Sequence, residues 1–438
     1  MKKFLSSQLS IITYSFRWTI IVLPVGIAIG SVVALFLWLL NMAIHYRFLH
    51  SWLLYLLPVA GIVIHFLYKL YGRSAERGNN LIIDEIHEPG AGVPKRMAPL
   101  ILITTVITHL FGGSAGREGT AVQIGGSIAD FFAGLFKLNP EDKRLLLTAG
   151  IAAGFGAVFG TPLTGTIFAI EVITIGRMQY NALLPCLIAG FAGDATVAAW
   201  GIHHTAYHID VVKTSAEYYS HHLPIDLLLL VKVIFASALF GLASYLFANA
   251  THAVKAFSLK LIKIDWLIPV SGGLIIIGLT FLIGKTDYLS LGVEPQHPGA
   301  ATIVSAFQQN GADLFSWLWK LIYTAITLGT GFKGGEVTPL FYIGATLGNT
   351  LAGFLNAPVS LFAALGFIAV FAGSTNTPLA CTLMGIELFG GEHAMLFAVA
   401  CFTAYFFSGD SGIYTAQRKE NDKIENGYWD RLFGKYKR

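Results

Sequence analysis

The residues best suited to chemistry are acids in glycine-rich segments of an otherwise apolar chain. Glu118 stands in Gly112-Gly-Ser-Ala-Gly-Arg-Glu-Gly-Thr120, directly after Arg117. A carboxylate at membrane depth is costly unless donors or water solvate it, so its presence points to ion or proton movement. The surrounding glycines allow a tight turn that leaves N–H groups free at a helix start, where the partial positive charge attracts anions. A second block of this kind, Gly331-Phe-Lys-Gly-Gly-Glu-Val-Thr-Pro339, carries Glu336. A third, Gly78-Asn-Asn-Leu81, offers Asn79 or Asn80 as a helix cap. Three helix starts converging on one point would form an anion site from partial charges alone.

The elements that must hold these residues are membrane helices. The chain has 438 residues, 55% hydrophobic and only 12% charged, with mean hydropathy +0.64; soluble domains carry about 25% charged residues. Thr19–Leu40 is charge-free and long enough for a bilayer core that needs about 20 helical residues. The runs 52–67, 233–250 and 267–284 are similar but shorter. Other apolar stretches, such as 97–110, 149–170, 340–354, 361–372 and 378–389, are too short or are interrupted by Gly and Pro. This pattern predicts tilted and half-crossing helices, since irregular backbone at that depth must be enclosed by protein or line a cavity. The 47 glycines suit close helix contacts.

An internal duplication organises the chain. Gly116-Arg-Glu-Gly-Thr-Ala-Val-Gln-Ile-Gly-Gly-Ser127 matches Gly335-Glu-Val-Thr-Pro-Leu-Phe-Tyr-Ile-Gly-Ala-Thr346 at an offset of 219 residues. Thr161-Pro-Leu-Thr-Gly-Thr-Ile-Phe-Ala-Ile-Glu171 matches Thr377-Pro-Leu-Ala-Cys-Thr-Leu-Met-Gly-Ile-Glu387 at an offset of 216. Transporters built from such repeats bind substrate near the bilayer midplane, where interrupted segments of the two halves meet. The expected divisions are a first repeat over 1–200, a linking loop over 201–224, a second repeat over 225–415 and a basic tail over 416–438. The loop's His203, His204, His208, His221 and His222 lack accompanying cysteines or paired carboxylates, so they are read as a solvated link with no metal site.

Here the motifs resemble a family. Gly116-Arg-Glu-Gly-Thr120, the Gly-Gly-Glu-Val-Thr-Pro block ending at Pro339, the Thr-Pro-Leu…Ile-Glu pair and Ser411-Gly-Ile-Tyr-Thr-Ala416 together, in this order, resemble the CLC chloride channels and transporters. The resemblance covers nearly the whole chain. It implies an all-α polytopic inverted repeat, assembled as a homodimer with one pore per subunit. The departures resemble the family's fluoride-exporting branch. Gly78-Asn-Asn-Leu-Ile82 replaces the serine block that holds chloride, Thr120 ends the Gly-Arg-Glu-Gly block, Gly335-Glu-Val-Thr-Pro339 replaces Gly-x-Phe-x-Pro, and Val172 follows Glu171 where many exchangers carry a second acid.

The resemblance implies that Glu118 is a gate whose carboxylate alternates with the anion, and that Tyr414 is the inner tyrosine. Fluoride is strongly hydrated and needs strong donors in place of water. Asn79, Asn80, Arg117, Gly119, Thr120, Val337, Thr338 and Tyr414 are the candidates, through side-chain or backbone groups. Glu336 is expected to relay protons in place of the acid missing at Val172. A simple Arg117–Glu118 ion pair is disfavoured, because adjacent residues on a helix do not face each other. Glu171 and Glu387 suit anchoring better than proton transfer. Lys333 and Arg117 suit a vestibule that attracts anions.

The expected function is fluoride/proton antiport that exports fluoride, with a chloride/proton antiporter or passive anion channel as the alternative. An intramembrane serine protease built on Ser114 is set aside, because the later Gly-x-x-His matches, Gly201 to His204 and Gly390 to His393, fall in the polar linking loop and beside Glu392 between two apolar runs. No enzyme activity, cofactor, metal or nucleic-acid partner is expected. Cys186, Cys381 and Cys401 lie in apolar runs and are read as packed thiols. Lys2, Lys3 and Arg17 at one end and the 418–438 tail at the other place both termini in the cytoplasm by the positive-inside rule.

Overall fold

The structure, a computed structural model, describes residues 2–210, 226–420 and 423. His221, His222 and most of the basic tail therefore lie outside the described residues. In chain order the first eight helices are α1 (Lys2–Leu49), α2 (Leu57–Leu67), α3 (Asn79–His87), α4 (Met97–Leu110), α5 (Glu118–Leu135), α6 (Pro140–Phe159), α7 (Pro162–Glu171) and α8 (Leu183–Ala199). After the 200–226 stretch come α9 (Leu227–Leu261), α10 (Leu267–Ile283), α11 (Ser316–Gly329), α12 (Val337–Leu355), α13 (Val359–Thr375), α14 (Pro378–Phe389) and α15 (Ala394–Phe407). A two-residue parallel pairing of β1 (Thr174–Ile175) with β2 (Arg418–Lys419) ties the end of the chain to the segment after α7.

Helix length follows the apolar pattern. Among the described residues, four helical segments, Ser6–Leu49, Ser51–His87, Tyr180–Ala199 and Leu227–Leu261, are long and apolar enough to cross a membrane. Met97–Leu110, Val359–Thr375 and Pro378–Phe389 are apolar but short, as the interrupted sequence runs predict, and Leu267–Ile283, read from the sequence as close to a full span, is short as well. The charge-free run 19–40 is the middle of a longer helix that continues to Leu49.

The two halves use the same packing device. A methyl on Gly125 of α5 would come within 2.1 Å of the Gly150 carbonyl oxygen in α6, and one on Gly344 of α12 within 2.0 Å of the Gly366 carbonyl oxygen in α13. Glycine at these points lets each helix pair touch backbone to backbone. Gly125 and Gly344, like Gly150 and Gly366, are related by the offsets found in the sequence. The halves meet in opposite senses: Gly116 and Gly335 form an antiparallel bridge, with N–H···O distances of 2.6 and 2.8 Å.

Helices α7 and α14 are likewise antiparallel, each closing the other's exposed start. Glu387 accepts from the Leu163 and Thr164 backbone N–H groups, at 3.0 and 2.7 Å, and from the Thr164 hydroxyl at 2.6 Å. Glu171 accepts from the Leu379 and Ala380 N–H groups at 3.1 and 2.8 Å. An acid at its own helix's C-terminus is unfavourable, but here each carboxylate meets the positive end of its neighbour. Between these helices and α12 and α13 runs an aromatic core in which the Phe341 and Phe367 rings stack at 3.8 Å and Phe155 and Phe168 at 4.4 Å. Cys186, Cys381 and Cys401 are buried free thiols.

Candidate functional site

Both glycine blocks do start helices. α5 begins at Glu118 with Arg117 as its cap residue, and α12 begins at Val337 with Glu336 as its cap residue. The third start differs from the sequence expectation. Gly78 is the cap residue of α3, at φ +56°, and no side chain caps it. Asn79 and Asn80 are instead the first helical residues. A positive φ is open to glycine and strained for a side chain, so the chain turns at Gly78 and the asparagines follow.

The bridge between Gly116 and Gly335 brings the starts of α5 and α12 together, and Asn79 at the start of α3 lies beside them. A methyl on Gly119 would come within 3.0 Å of Gly335 Cα, 3.1 Å of Asn79 Nδ2 and 3.6 Å of Glu336 Oε2. One on Gly335 would meet the Gly119 and Glu118 nitrogens at 2.6 and 3.2 Å. Neither position has room for a side chain. The starts of α5 and α12 thus meet backbone to backbone, with the Asn79 carboxamide of α3 beside them.

Glu118 is fully buried in this crossing. Its Oε1 accepts from the Thr338 hydroxyl at 2.5 Å, and its Oε2 from the backbone N–H of Thr338 at 3.0 Å and of Arg117 at 3.1 Å. Arg117 Nε lies 3.5 Å from Oε1. This ion pair corrects the sequence reading: Arg117 is a cap residue at φ −113°, outside the helical spiral, so the rule that neighbours on a helix diverge does not apply to it. The pair is loose, because Arg117 Nε makes no hydrogen bond. The carboxylate occupies a place that donors from both halves of the chain enclose.

The two acids border different spaces. Glu118 lines a cavity of about 20 Å³ together with Arg117, His204, Tyr207, Thr338 and Phe341. Glu336 lines a separate cavity of about 160 Å³ together with Asn79, Asn80, Gln123, Lys333 and Tyr414. Lys333 stands over the Tyr68 ring, 4.3 Å from its centroid.

The remaining candidates have defined partners or none. Asn79 is buried and its carboxamide oxygen has no hydrogen-bond partner. Asn80 accepts at 2.9 Å from the Ala416 N–H, holding the Tyr414 segment in place. The Thr120 hydroxyl bonds the Thr105 hydroxyl at 2.8 Å. Val337 and Thr338 are buried beside Glu118 at the start of α12. Val172 is buried at the end of α7. Ser114 Oγ bonds Thr324 Oγ1 at 2.9 Å, and neither ring nitrogen of His109 has a partner. Among the described residues no group of three or more His, Cys, Asp or Glu could hold a metal ion.

The first part of the linking stretch is a loop whose exposed residues are interspersed with half-buried ones, so it is solvated on one side and packed on the other. His204 and Tyr207 line the small cavity at Glu118, and Tyr207 packs on Phe307, Phe367 and Phe389. Sequence reasoning undervalued both residues. The available signal was Tyr207 and Ile209 on either side of His208, an apolar pair two residues apart that gives the segment a side to bury.

Residues 60–409 match the family described as "Voltage gated chloride channel". A "Chloride/fluoride channel protein" of Pseudomonas syringae pv. tomato is 47% identical over 420 residues, covering 95% of this chain and 89% of that protein. The chain belongs to the CLC family. Another relative, an "H(+)/Cl(-) exchange transporter" of Yersinia pestis bv. Antiqua, is 27% identical over 80% of this chain and 74% of its own. Among solved structures, that of a CLC-type fluoride/proton antiporter superposes with a TM-score of 0.84 at 32% identity, over 92% of this chain and 98% of the other. A slow cyanobacterial Cl⁻/H⁺ antiporter has the same fold, with a TM-score of 0.75 at 20% identity over 91% and 96% of the two chains. This is therefore an all-α, multi-pass membrane protein of the CLC family, most like its fluoride/proton antiporter branch.

Proposed function

We propose that the protein is a fluoride/proton antiporter that exports fluoride from the cytoplasm at the expense of an inward proton gradient. The observation that carries this reading is the placement of the Glu118 carboxylate. It holds the hydroxyl of Thr338 and two backbone N–H groups at 2.5–3.1 Å, a donor set suited to a small, hard anion. Two negative charges do not share so small a site, so an entering anion favours the protonated carboxyl and its departure from the site. Proton movement one way then accompanies anion movement the other.

Glu336 completes the path. It faces the cavity that Glu118 does not, so a proton accepted by Glu118 on one side can be released by Glu336 on the other. Asn79, with its free carboxamide oxygen, Tyr414, and the N–H groups of Gly119, Thr120 and Val337 line the anion's way on the Glu336 side. Asn80 acts indirectly, through the Ala416 N–H. Arg117 and Lys333 draw anions towards the two mouths. By the positive-inside rule both termini face the cytoplasm. α1 starts there, and Asn41 and Phe48 near its other end line the larger cavity beside Arg117, so the Arg117 side is the outer one. The protein works as a homodimer with a complete pathway in each subunit, divided into repeats over 1–200 and 225–415.

A chloride/proton antiporter or passive channel is the second reading, favoured by the name of the Pseudomonas relative, which includes both chloride and channel. Liposomes holding the full chain, read with fluoride and chloride electrodes beside a pH-sensitive dye, separate the readings. Fluoride efflux far faster than chloride efflux, with protons entering against it, is expected. Equal anion fluxes would remove the fluoride assignment, and fluoride flux without proton movement would make the protein a channel.

A further inference from the structure

Basic residues gather in one pocket where two apolar helices end. The apolar run of α2 stops at Leu67, and Lys69, Arg73 and Glu76 follow it. α9 stops at Leu261, next to Lys260 and Lys263. Such a change from apolar to charged sequence marks the level where a helix leaves the hydrocarbon for the headgroup layer. Between these two ends lies a cavity of about 370 Å³, the size of a small-molecule site. Its charged border sets Lys69, Arg73, Lys255 and Lys333 against Glu76 and Asp265, so the pocket is net basic.

The chain does not neutralise these cations itself. Among the described residues, no acid forms an ion pair with the side chain of Lys69, Arg73, Lys255 or Lys333. Lys69 and Lys333 lie instead over the Phe66 and Tyr68 rings, 6.0 and 4.3 Å from the centroids. On the same wall, the buried Nε2 of His65 has no hydrogen-bond partner. Fixed positive charge with open donors suits a phosphate group, whose several oxygens accept at once. The rim has the opposite character. Phe66, Leu70, Tyr71, Leu259 and Trp266, which line the pocket or adjoin its lining residues in the chain, are large, apolar and exposed. Pocket and rim together match an amphiphile with its phosphate inside and its chains along the apolar edge.

We propose that this pocket binds the phosphate headgroup of an anionic membrane lipid. Basic pockets between membrane helices on the cytoplasmic side hold such headgroups. This pocket adjoins the cavity of Glu336, which is on that side: Tyr68, Glu76, Lys255 and Lys333 border both, whereas Lys69 and Arg73 border the pocket alone. A bound phosphodiester therefore sets a fixed negative charge at the wall of the Glu336 cavity, beside Lys333. A free phosphate ion would satisfy the cations but leave the apolar rim uncovered, which favours the lipid. The site does not depend on which anion the protein carries.

The test heats the full-length protein in neutral detergent with increasing phosphatidylglycerol and reads the unfolding midpoint by size-exclusion. Phosphatidylglycerol should raise the wild-type midpoint, because a ligand held only by the folded state stabilises it. K69Q/R73Q, which changes two exposed side chains, should need roughly thirtyfold more lipid for the same rise, since each basic residue near an anionic headgroup contributes about fivefold. K137Q/R144Q removes two exposed cations that border no part of the pocket and should respond as the wild type does. An equal rise with phosphatidylcholine, or a wild-type response in K69Q/R73Q, overturns the proposal. An equal loss in K137Q/R144Q marks general charge attraction and overturns it too. An equal rise with inorganic phosphate alone overturns the lipid and leaves a free ion in its place.

Discussion

Glu118 and Thr338 act as a pair, and two substitutions separate their parts. Glu118→Gln keeps size and an acceptor oxygen but cannot carry a proton, so proton uptake driven by a fluoride gradient should drop to the leak of empty liposomes. Continued coupled pumping in that variant, followed with the pH dye, would take Glu118 out of the mechanism. Thr338→Val removes only the hydroxyl that donates to Glu118 Oε1 at 2.5 Å. A hydrogen bond to a charged partner contributes about 1.5–3 kcal/mol, so fluoride efflux should fall roughly tenfold to a hundredfold while chloride efflux changes less. The sequence made these residues legible because charge between glycines in an apolar chain has few structural explanations. It hid the contact between Arg117 and Glu118, which depends on Arg117 lying one position outside the helix, and it hid the seat of Tyr207 on Phe307, Phe367 and Phe389, which depends on what a loop packs against.

At the scale of elements, the site exists because two helix starts cross with no side chain between them. In Gly335→Ala the new methyl would press on the Gly119 nitrogen from 2.6 Å, and backbone cannot yield as a side chain can. Overpacking of this kind costs about 1–3 kcal/mol. The variant should lose transport and unfold at lower temperature, measured by size-exclusion after heating in detergent; a fully active Gly335→Ala protein would deny the crossing its role. The α7–α14 pair offers a second test. Glu387→Ala leaves the N–H groups of Leu163 and Thr164 at the start of α7 without their acceptor. Loss of such charge-assisted bonds costs about 1.5–3 kcal/mol, so the same heating assay should show a lowered midpoint with anion selectivity unchanged. The paired motifs and their near-constant offset were visible in the sequence, and with them the position of each glycine crossing. Their opposite senses came only with the family resemblance, because an offset relates positions along the chain and carries no direction in space.

On the scale of the whole molecule, every part of the proposed pathway comes from one chain. Glu118 belongs to the first half and Thr338 and Glu336 to the second, and the Gly116–Gly335 bridge joins them within the same subunit. Composition alone located the molecule in a membrane, since 12% charge cannot cover a soluble surface of this size. It could not say whether copies share a pore, because exposed apolar side chains face lipid and protein alike. The self-contained site makes a specific demand. When wild-type and Glu118→Gln subunits are joined in one polypeptide and reconstituted, fluoride-driven proton uptake should run at about half the rate per dimer, with the wild-type ratio of protons to fluoride preserved, because a conservative change that leaves the partner's own donors and acids in place has no route to its gate. Uptake that vanishes with one altered subunit would mean that the gates move together, and a changed ratio would mean that protons or anions cross between subunits. Either result would replace two independent pathways with one that the subunits share.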